Sequence, residues 1–137
     1  SNYKSFEIDS LSKILLSNID IHILKEKRRE NASYLYEELK NCDFIKPIIK
    51  EPDFANDCPL YLPIKVETKF RNDLRDYLIA KRIYCPIHWP IPNINCLNKA
   101  TKRIYEEELS LVCDQRYGID DMRRIVKTIG EFWRRLC

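Results

Sequence analysis

Residues 59–67 read PLYLPIKVE. Leu60, Leu62, Ile64 and Val66 alternate with Tyr61, Pro63 and Lys65, and this period of two predicts a strand with one buried face. Pro63 has no N–H to offer a ladder, so the strand is expected at a sheet edge or paired on one side only. Downstream the period lengthens. Thr68 is placed to cap a helix that carries Phe70, Leu74, Tyr77 and Leu78 on one face. RIYCPI, from Arg82, reads as a second short strand. LNKATKRIYEEEL, from Leu97, reads as a helix with Thr101, Ile104 and Tyr105 in line, and LSLVC, ending at Cys113, as a third strand. After the turn DQRYG, Met122, Ile125, Val126, Ile129, Phe132, Trp133 and Leu136 mark an amphipathic closing helix. Asp120 and Asp121 suit its positive N-terminal end.

Upstream, Ser10 is a plausible cap for a helix through Leu11, Ile14 and Leu15. SNID at 17–20 interrupts it, and Asp20 can cap a second helix through Ile23, Leu24, Leu35 and Leu39. Between its apolar ends lies KEKRRENASY, residues 25–34. A helix polar for nearly three turns is bathed in water or bridges two bodies. Residues 41–58 read as loop, with at most a short strand within Phe44–Ile49. The predicted order is helix, helix, strand, helix, strand, helix, strand, helix. Three short strands with helices on one face make an α/β chain of the α+β, two-layer sandwich kind.

A chain of 137 residues is long enough for one domain with a real core. No apolar run approaches the roughly 20 residues of a membrane helix, and the N-terminus lacks a basic region followed by an apolar one. The formal charge of +3 is too slight to imply nucleic acid. Arg123, Arg124, Lys127, Arg134 and Arg135 cluster near the end of the chain, as a solvated helix face or a surface for an acidic partner. Six cysteines stand at 42, 58, 85, 96, 113 and 137. None are two or three apart, so no zinc or redox spacing exists. Free thiols in a cytoplasmic protein are expected. With only Gly118 and Gly130, neither a glycine-rich phosphate loop nor a nucleophile elbow can be built.

The chemistry-bearing residues are few. In PIHWP, His88 stands between Pro86 and Pro90, which stiffen it. It can serve as a general acid or base, or donate a hydrogen bond to an anion; the alternative is an imidazole tied into loop packing. Trp89 offers a ring face to a sugar or a base. His22, on a helix, is a weaker prospect. In CDQRYG, Arg116 offers a planar fork suited to carboxylate or phosphate, or else an ion pair with Asp114, Asp120 or another neighbour. Adjacent carboxylates such as Glu106, Glu107 and Glu108 diverge on a helix and make no convincing dyad.

RRENASYLYEEL (28–39), YLPIKV (61–66), RNDLRDYLIAKRIYCPIHWPIP (71–92) and ATKRIYEEELSLVCDQRYGIDDMRRIV (100–126) together resemble the C-terminal small domain of the DegT/DnrJ/EryC1/StrS aminotransferases. The resemblance runs from about Ser10 onward, and PIHWP and LSLVCDQRYGIDDM are its most specific parts. Val112 stands where that family usually has proline, and Lys81–Arg82 where glycine is often found. The resemblance implies the small domain of a fold-type-I, pyridoxal-phosphate-dependent transferase, acting on a nucleotide-linked keto sugar with an amino-acid donor. It places the Schiff-base lysine and the other cofactor contacts in a large domain of the same chain, which implies that residues 1–137 alone are inactive and hold no catalytic, cofactor-binding or metal-binding residue. Residues 1–19 would be a connector helix from that domain and 20–137 the small domain. A homodimer is implied, with neither nucleic acid nor membrane as partner. His88, Trp89 and Arg116 are the residues it points to on the substrate side. A connector helix without its neighbour leaves Ile14, Leu15, Leu16 and Ile19 uncovered, which favours self-association. The competing reading is a stand-alone, non-enzymatic α/β module that binds a ligand or a protein at the aromatic loop.

Overall fold

The computed structural model describes residues 8–88 and 97–136. Two helices, α1 (Ser10–Ser17) and α2 (Ile21–Leu39), lead into strands β1 (Ile45–Pro47) and β2 (Tyr61–Val66). Helices α3 (Thr68–Ala80) and α4 (Lys99–Glu107), strand β3 (Glu108–Val112) and helix α5 (Ile119–Arg134) follow. The three strands form one antiparallel sheet in the order β1-β2-β3. Ile45, Leu62, Ile64, Val66, Leu109 and Leu111 turn to the core, where α2, α3 and α5 bury their apolar stripes. This is the α+β sandwich expected from the periodicities.

Two strand assignments need correction. RIYCPI is not a strand; the third member of the sheet is β1, from the segment read as mostly loop. Residues 83–88 do run beside the outer edge of β3, joined by one bond from the Ser110 N–H to the Pro86 carbonyl at 3.4 Å. Pro86 has no N–H to return, so a ladder cannot propagate. Pro63, expected at an edge, lies in the central strand. In an antiparallel pair, N–H and C=O of one residue face the same neighbour. The Pro63 carbonyl accepts from Ile48 N–H at 3.0 Å, one residue beyond the end of β1. The missing donor therefore falls where β1 has already stopped, and the pairing of β2 with β3 is untouched.

Helix ends follow local chemistry. Asp9, not Ser10, caps α1, its carboxylate accepting from Ser12 N–H. Asp20 caps α2 through the N–H groups of His22 and Ile23. Glu67, without a side-chain cap, precedes α3, so Thr68 is its first helical residue. At the end of α3, Ile83 N–H donates to Leu78 O and Arg82 N–H to Ile79 O, both at 2.8 Å, which is the Schellman pattern. It puts Arg82 at φ 58°, a left-handed conformation that costs an L residue about 1–2 kcal/mol.

The polar middle of α2 is divided: Lys25, Glu26 and Glu30 face solvent, while its other side packs on the domain's own sheet. Asn31 and Ala32 are both 0% exposed. The small Ala32 lets the helix approach closely, and the polar neighbours bond to carbonyl groups at the sheet's end, as described below. By contrast α1 has no buried residue. Ile14, Leu15, Leu16 and Ile19 are 59%, 58%, 56% and 47% exposed, a strip that nothing among the described residues covers. No described helix is long and apolar enough to cross a membrane.

Candidate functional site

Two of the sequence-predicted residues, His88 and Arg116, lie at the end of the sheet where β2 begins and β3 ends. Tyr61 pairs in register with Val112, and the chain then turns through Cys113–Gly118 into α5. Within that turn Asp114 is buried, and its carboxylate accepts from the Arg116 backbone N–H (2.9 Å) and from Nε (3.0 Å) and Nη2 (2.6 Å) of the Arg116 side chain. The fork-on-carboxylate geometry fixes the guanidinium. Arg116 remains 68% exposed, so its far edge faces solvent with the charge intact. Its Cζ lies 5.7 Å from the centre of the Tyr117 ring.

His88 is exposed and packs edge-on against Tyr61, with ring centroids 4.3 Å apart and planes 68° from parallel. The Tyr61 phenol also lies within electrostatic reach of Arg116. Tyr61, at the start of β2, thus places His88 at the same end of the sheet as the turn that carries Arg116. Trp89 lies outside the described residues. His22 sits elsewhere, near the start of α2, 3.4 Å from Glu26.

The turn is held from behind by α2. Asn31 Nδ2 donates to the carbonyls of Cys113 (3.4 Å), Asp114 (3.1 Å) and Tyr117 (3.0 Å). Arg28 Nε donates to Gln115 Oε1 at 2.6 Å, and Arg29 Nε to the Asp57 carbonyl at 2.8 Å. Sequence reading missed Asn31, although a signal was present: Leu24, Arg28, Asn31 and Leu35 step by four, three and four, along one helix face. Tyr61 was read as the solvent side of a strand, without a role. The basic residues near the chain's end are largely engaged with their own chain: Arg123 bonds Asp120 at 2.7 Å, Arg124 the Lys81 carbonyl, and Arg134 the Gly130 carbonyl.

The hydrogen bonds from Arg116 hold the Asp114 carboxyl below the usual carboxylate range against the opposing effect of burial, and that bonding raises Arg116 in turn. An acid depressed on folding stabilises the fold fully above its unfolded value, about 3.9, and loses that contribution as pH falls through the folded value. Asp114→Asn is therefore expected to cost about 1 kcal/mol at neutral pH, discounted for the exposure of Arg116. Urea unfolding between about pH 2.5 and pH 7 should show a shallower acid decline than the parent's; an unchanged slope would assign the acid sensitivity elsewhere. Glu107 is the other buried carboxylate. Burial pushes it up, but Arg103 at 2.8 Å and Lys65 at 3.0 Å outweigh this and hold it low.

The rim can bind rather than react. Arg116 can take an oxyanion, and Tyr61 and His88 can hydrogen-bond a neighbouring oxygen. Cys42, Cys58, Cys85 and Cys113 are free thiols. Burial first, and then Asp114, pushes Cys113 up to about 12, and burial does the same to Cys85, so neither is a ready nucleophile. Among the described residues no His, Cys, Asp and Glu cluster suits a metal. A lysine that condenses with a carbonyl needs desolvation or a neighbouring cation to free its amine. No described lysine is buried, so these residues do not fit the Schiff-base side of a pyridoxal-phosphate pocket.

No protein-family model matches the chain, and no curated protein matches it. Solved structures do. The aminotransferase TlmJ from Streptoalloteichus hindustanus superposes with a TM-score of 0.73 at 16% identity, over 93% of this chain and 36% of that one. The sugar aminotransferase CalS13 from Micromonospora echinospora gives 0.68 at 20% identity, over 88% and 33%. NtdA from Bacillus subtilis, solved with bound cofactor PMP, gives 0.67 at 16% identity, over 80% and 28%. The chain spans about a third of each of these proteins and shares the fold of the part it matches.

Proposed function

We propose that this chain is the C-terminal small domain of a pyridoxal-phosphate-dependent aminotransferase of the DegT/DnrJ/EryC1/StrS kind, acting on a nucleotide-linked keto sugar in the cytoplasm. The observation that carries the reading is the fold match, which takes in 80–93% of this chain but only 28–36% of three aminotransferase-like chains. The remainder of such a protein would supply the lysine and the cofactor contacts that these residues lack. The uncovered strip on α1 gives a companion domain a place to sit, with residues 1–19 as the connector. A homodimer follows the same analogy.

In this reading the chain supplies one wall of the substrate cleft. Arg116, braced by Asp114, meets a carboxylate or phosphate of a substrate. His88, positioned against Tyr61, donates a hydrogen bond to a substrate oxygen, and Trp89 is the third residue assigned to the substrate side. The chemistry of transamination belongs to the cofactor, and the isolated chain is expected to show none. In the full-length enzyme, Arg116→Ala should raise KM about 10- to 100-fold with a smaller change in kcat, the pattern of lost ground-state binding. His88→Ala should lower kcat/KM about tenfold. Steady-state kinetics with both substrates varied decides the matter. Transamination by the isolated chain would overturn the placing of the cofactor site in a companion domain, and unchanged kinetics in both variants would overturn the assignment of Arg116 and His88 to the substrate cleft.

A further inference from the structure

A second feature is lined by Tyr117, the residue next to Arg116. A cleft of about 60 Å³ opens between the end of α3, the end of β3 and the first turns of α5, with Arg82, Tyr84, Val112, Tyr117, Asp121 and Arg124 in its lining. Its volume is room for about four water-sized atoms at roughly 15 Å³ each. The cleft is open to solvent, and its enclosed part suits the oxygens of one tetrahedral oxyanion, with any larger group outside it.

The two arginines are brought together by the backbone. Arg124 donates to the carbonyl of Lys81, the residue before Arg82, so α5 is tied to the turn that carries Arg82, and both arginines line the cleft. The position of Arg82 is the unusual part. Its φ of 58° falls at the Schellman site where glycine is the strain-free choice. The side chain held there forms no hydrogen bond or ion pair with the described residues. Strained residues persist where the surroundings hold them in place, and they cluster at ligand clamps. One carboxylate, Asp121, shares the lining, but its Oδ2 accepts from Gly118 N–H at 3.0 Å and secures the start of α5. Two arginines and one carboxylate therefore line the cleft, with Arg124 and Asp121 each also holding a backbone partner. At the mouth Tyr84 is 68% exposed and offers an aromatic face.

We propose that this cleft binds the phosphate group of a phosphate monoester, gripped by Arg82 and Arg124, with the esterified moiety lying outside against Tyr84. The proposal stands on this corner alone and does not require the aminotransferase reading.

The test uses the 137-residue chain, ¹⁵N-labelled, titrated at fixed ionic strength with inorganic phosphate, phenyl phosphate, sulfate and phenol. Phenyl phosphate should move the amides of Arg82, Tyr84, Val112 and Arg124 saturably. Inorganic phosphate should bind about tenfold more weakly, sulfate no better than inorganic phosphate, and phenol should have no effect. Arg82→Gly should separate binding from stability: at least tenfold weaker phenyl phosphate binding, with a Tm about 3–5 °C higher because the strain is relieved. Arg82→Ala should lose the affinity without the rise in Tm. Absence of saturable shifts in the parent chain overturns the proposal. So does phenol or sulfate binding as tightly as phenyl phosphate, or Arg82→Gly retaining full affinity. A fall in Tm for Arg82→Gly would overturn the claim that arginine is held there against the backbone's preference.

Discussion

Replacing Asn31 with alanine should lower the stability of the fold by about 3 kcal/mol and loosen the turn that carries Arg116. The side chain is 0% exposed, and its amide nitrogen serves three carbonyls, those of Cys113, Asp114 and Tyr117. Two N–H bonds shared among three acceptors make the 3.4 Å contact the weakest of the set. Truncation leaves these carbonyls without their donor in a place water reaches poorly, and each such loss costs about 1–3 kcal/mol. Asn31 Oδ1 has no partner among the described residues, so some polar cost is already present, and alanine removes it. This offset keeps the expected loss near 3 kcal/mol rather than at the sum of the three. Urea unfolding measures the stability, and amide and Arg116 Nε–H exchange measures the turn. Asn31→Asp supplies the sign. A buried carboxylate facing three carbonyls has its pKa raised on folding, so that variant should gain stability as pH falls through the folded value, the gain being complete below the unfolded value of about 3.9. An Asn31→Ala protein within about 0.5 kcal/mol of the parent, with unchanged Arg116 exchange, would mean the turn holds its shape unaided.

The same residue shows where reading from sequence stopped. The alternation in PLYLPIKVE and the spacing of Met122, Ile125, Ile129 and Phe132 are driven by burial, and burial repeats at the period of the element; β2 and α5 were legible for that reason. The pairing of Arg116 with Asp114 was legible as one of two alternatives, because two residues of turn suffice to close it. Asn31 was not legible as a latch. Its partners are carbonyls more than 80 residues away in sequence, and carbonyls carry no residue identity. Pro63 misled because its missing donor matters only if a neighbour stands opposite, and the length of β1 decides that. RIYCPI has strand composition and lies beside β3, but Pro86 removes the donor that would complete the ladder. His88 packs on Tyr61, and only the register of β2 against β3 puts Tyr61 at the end of the sheet where the Arg116 turn begins.

The second large effect is expected at Trp133. It is 7% exposed and stands among rings from three parts of the chain: Phe44 before β1 at 4.0 Å, Phe70 in α3 at 5.0 Å and Phe132 at 5.3 Å between centroids. Trp133→Ala should cost about 4 kcal/mol, from lost burial and the void left among rings that cannot all close in. The indole N–H has no partner among the described residues, so the stabilisation comes from the ring and not from a hydrogen bond. Trp133→Phe should accordingly lose only about 1–1.5 kcal/mol. β1 should suffer first in the alanine variant. It is three residues long, and Phe44, stacked on the indole, pins the chain just before it enters the sheet. Amide exchange should rise along the β1–β2 ladder before it rises between β2 and β3. Equal losses for alanine and phenylalanine in urea unfolding would show that the indole N–H does bond. Uniform exchange across both ladders would show instead that Ile45, and not the aromatic cluster, holds β1 in place.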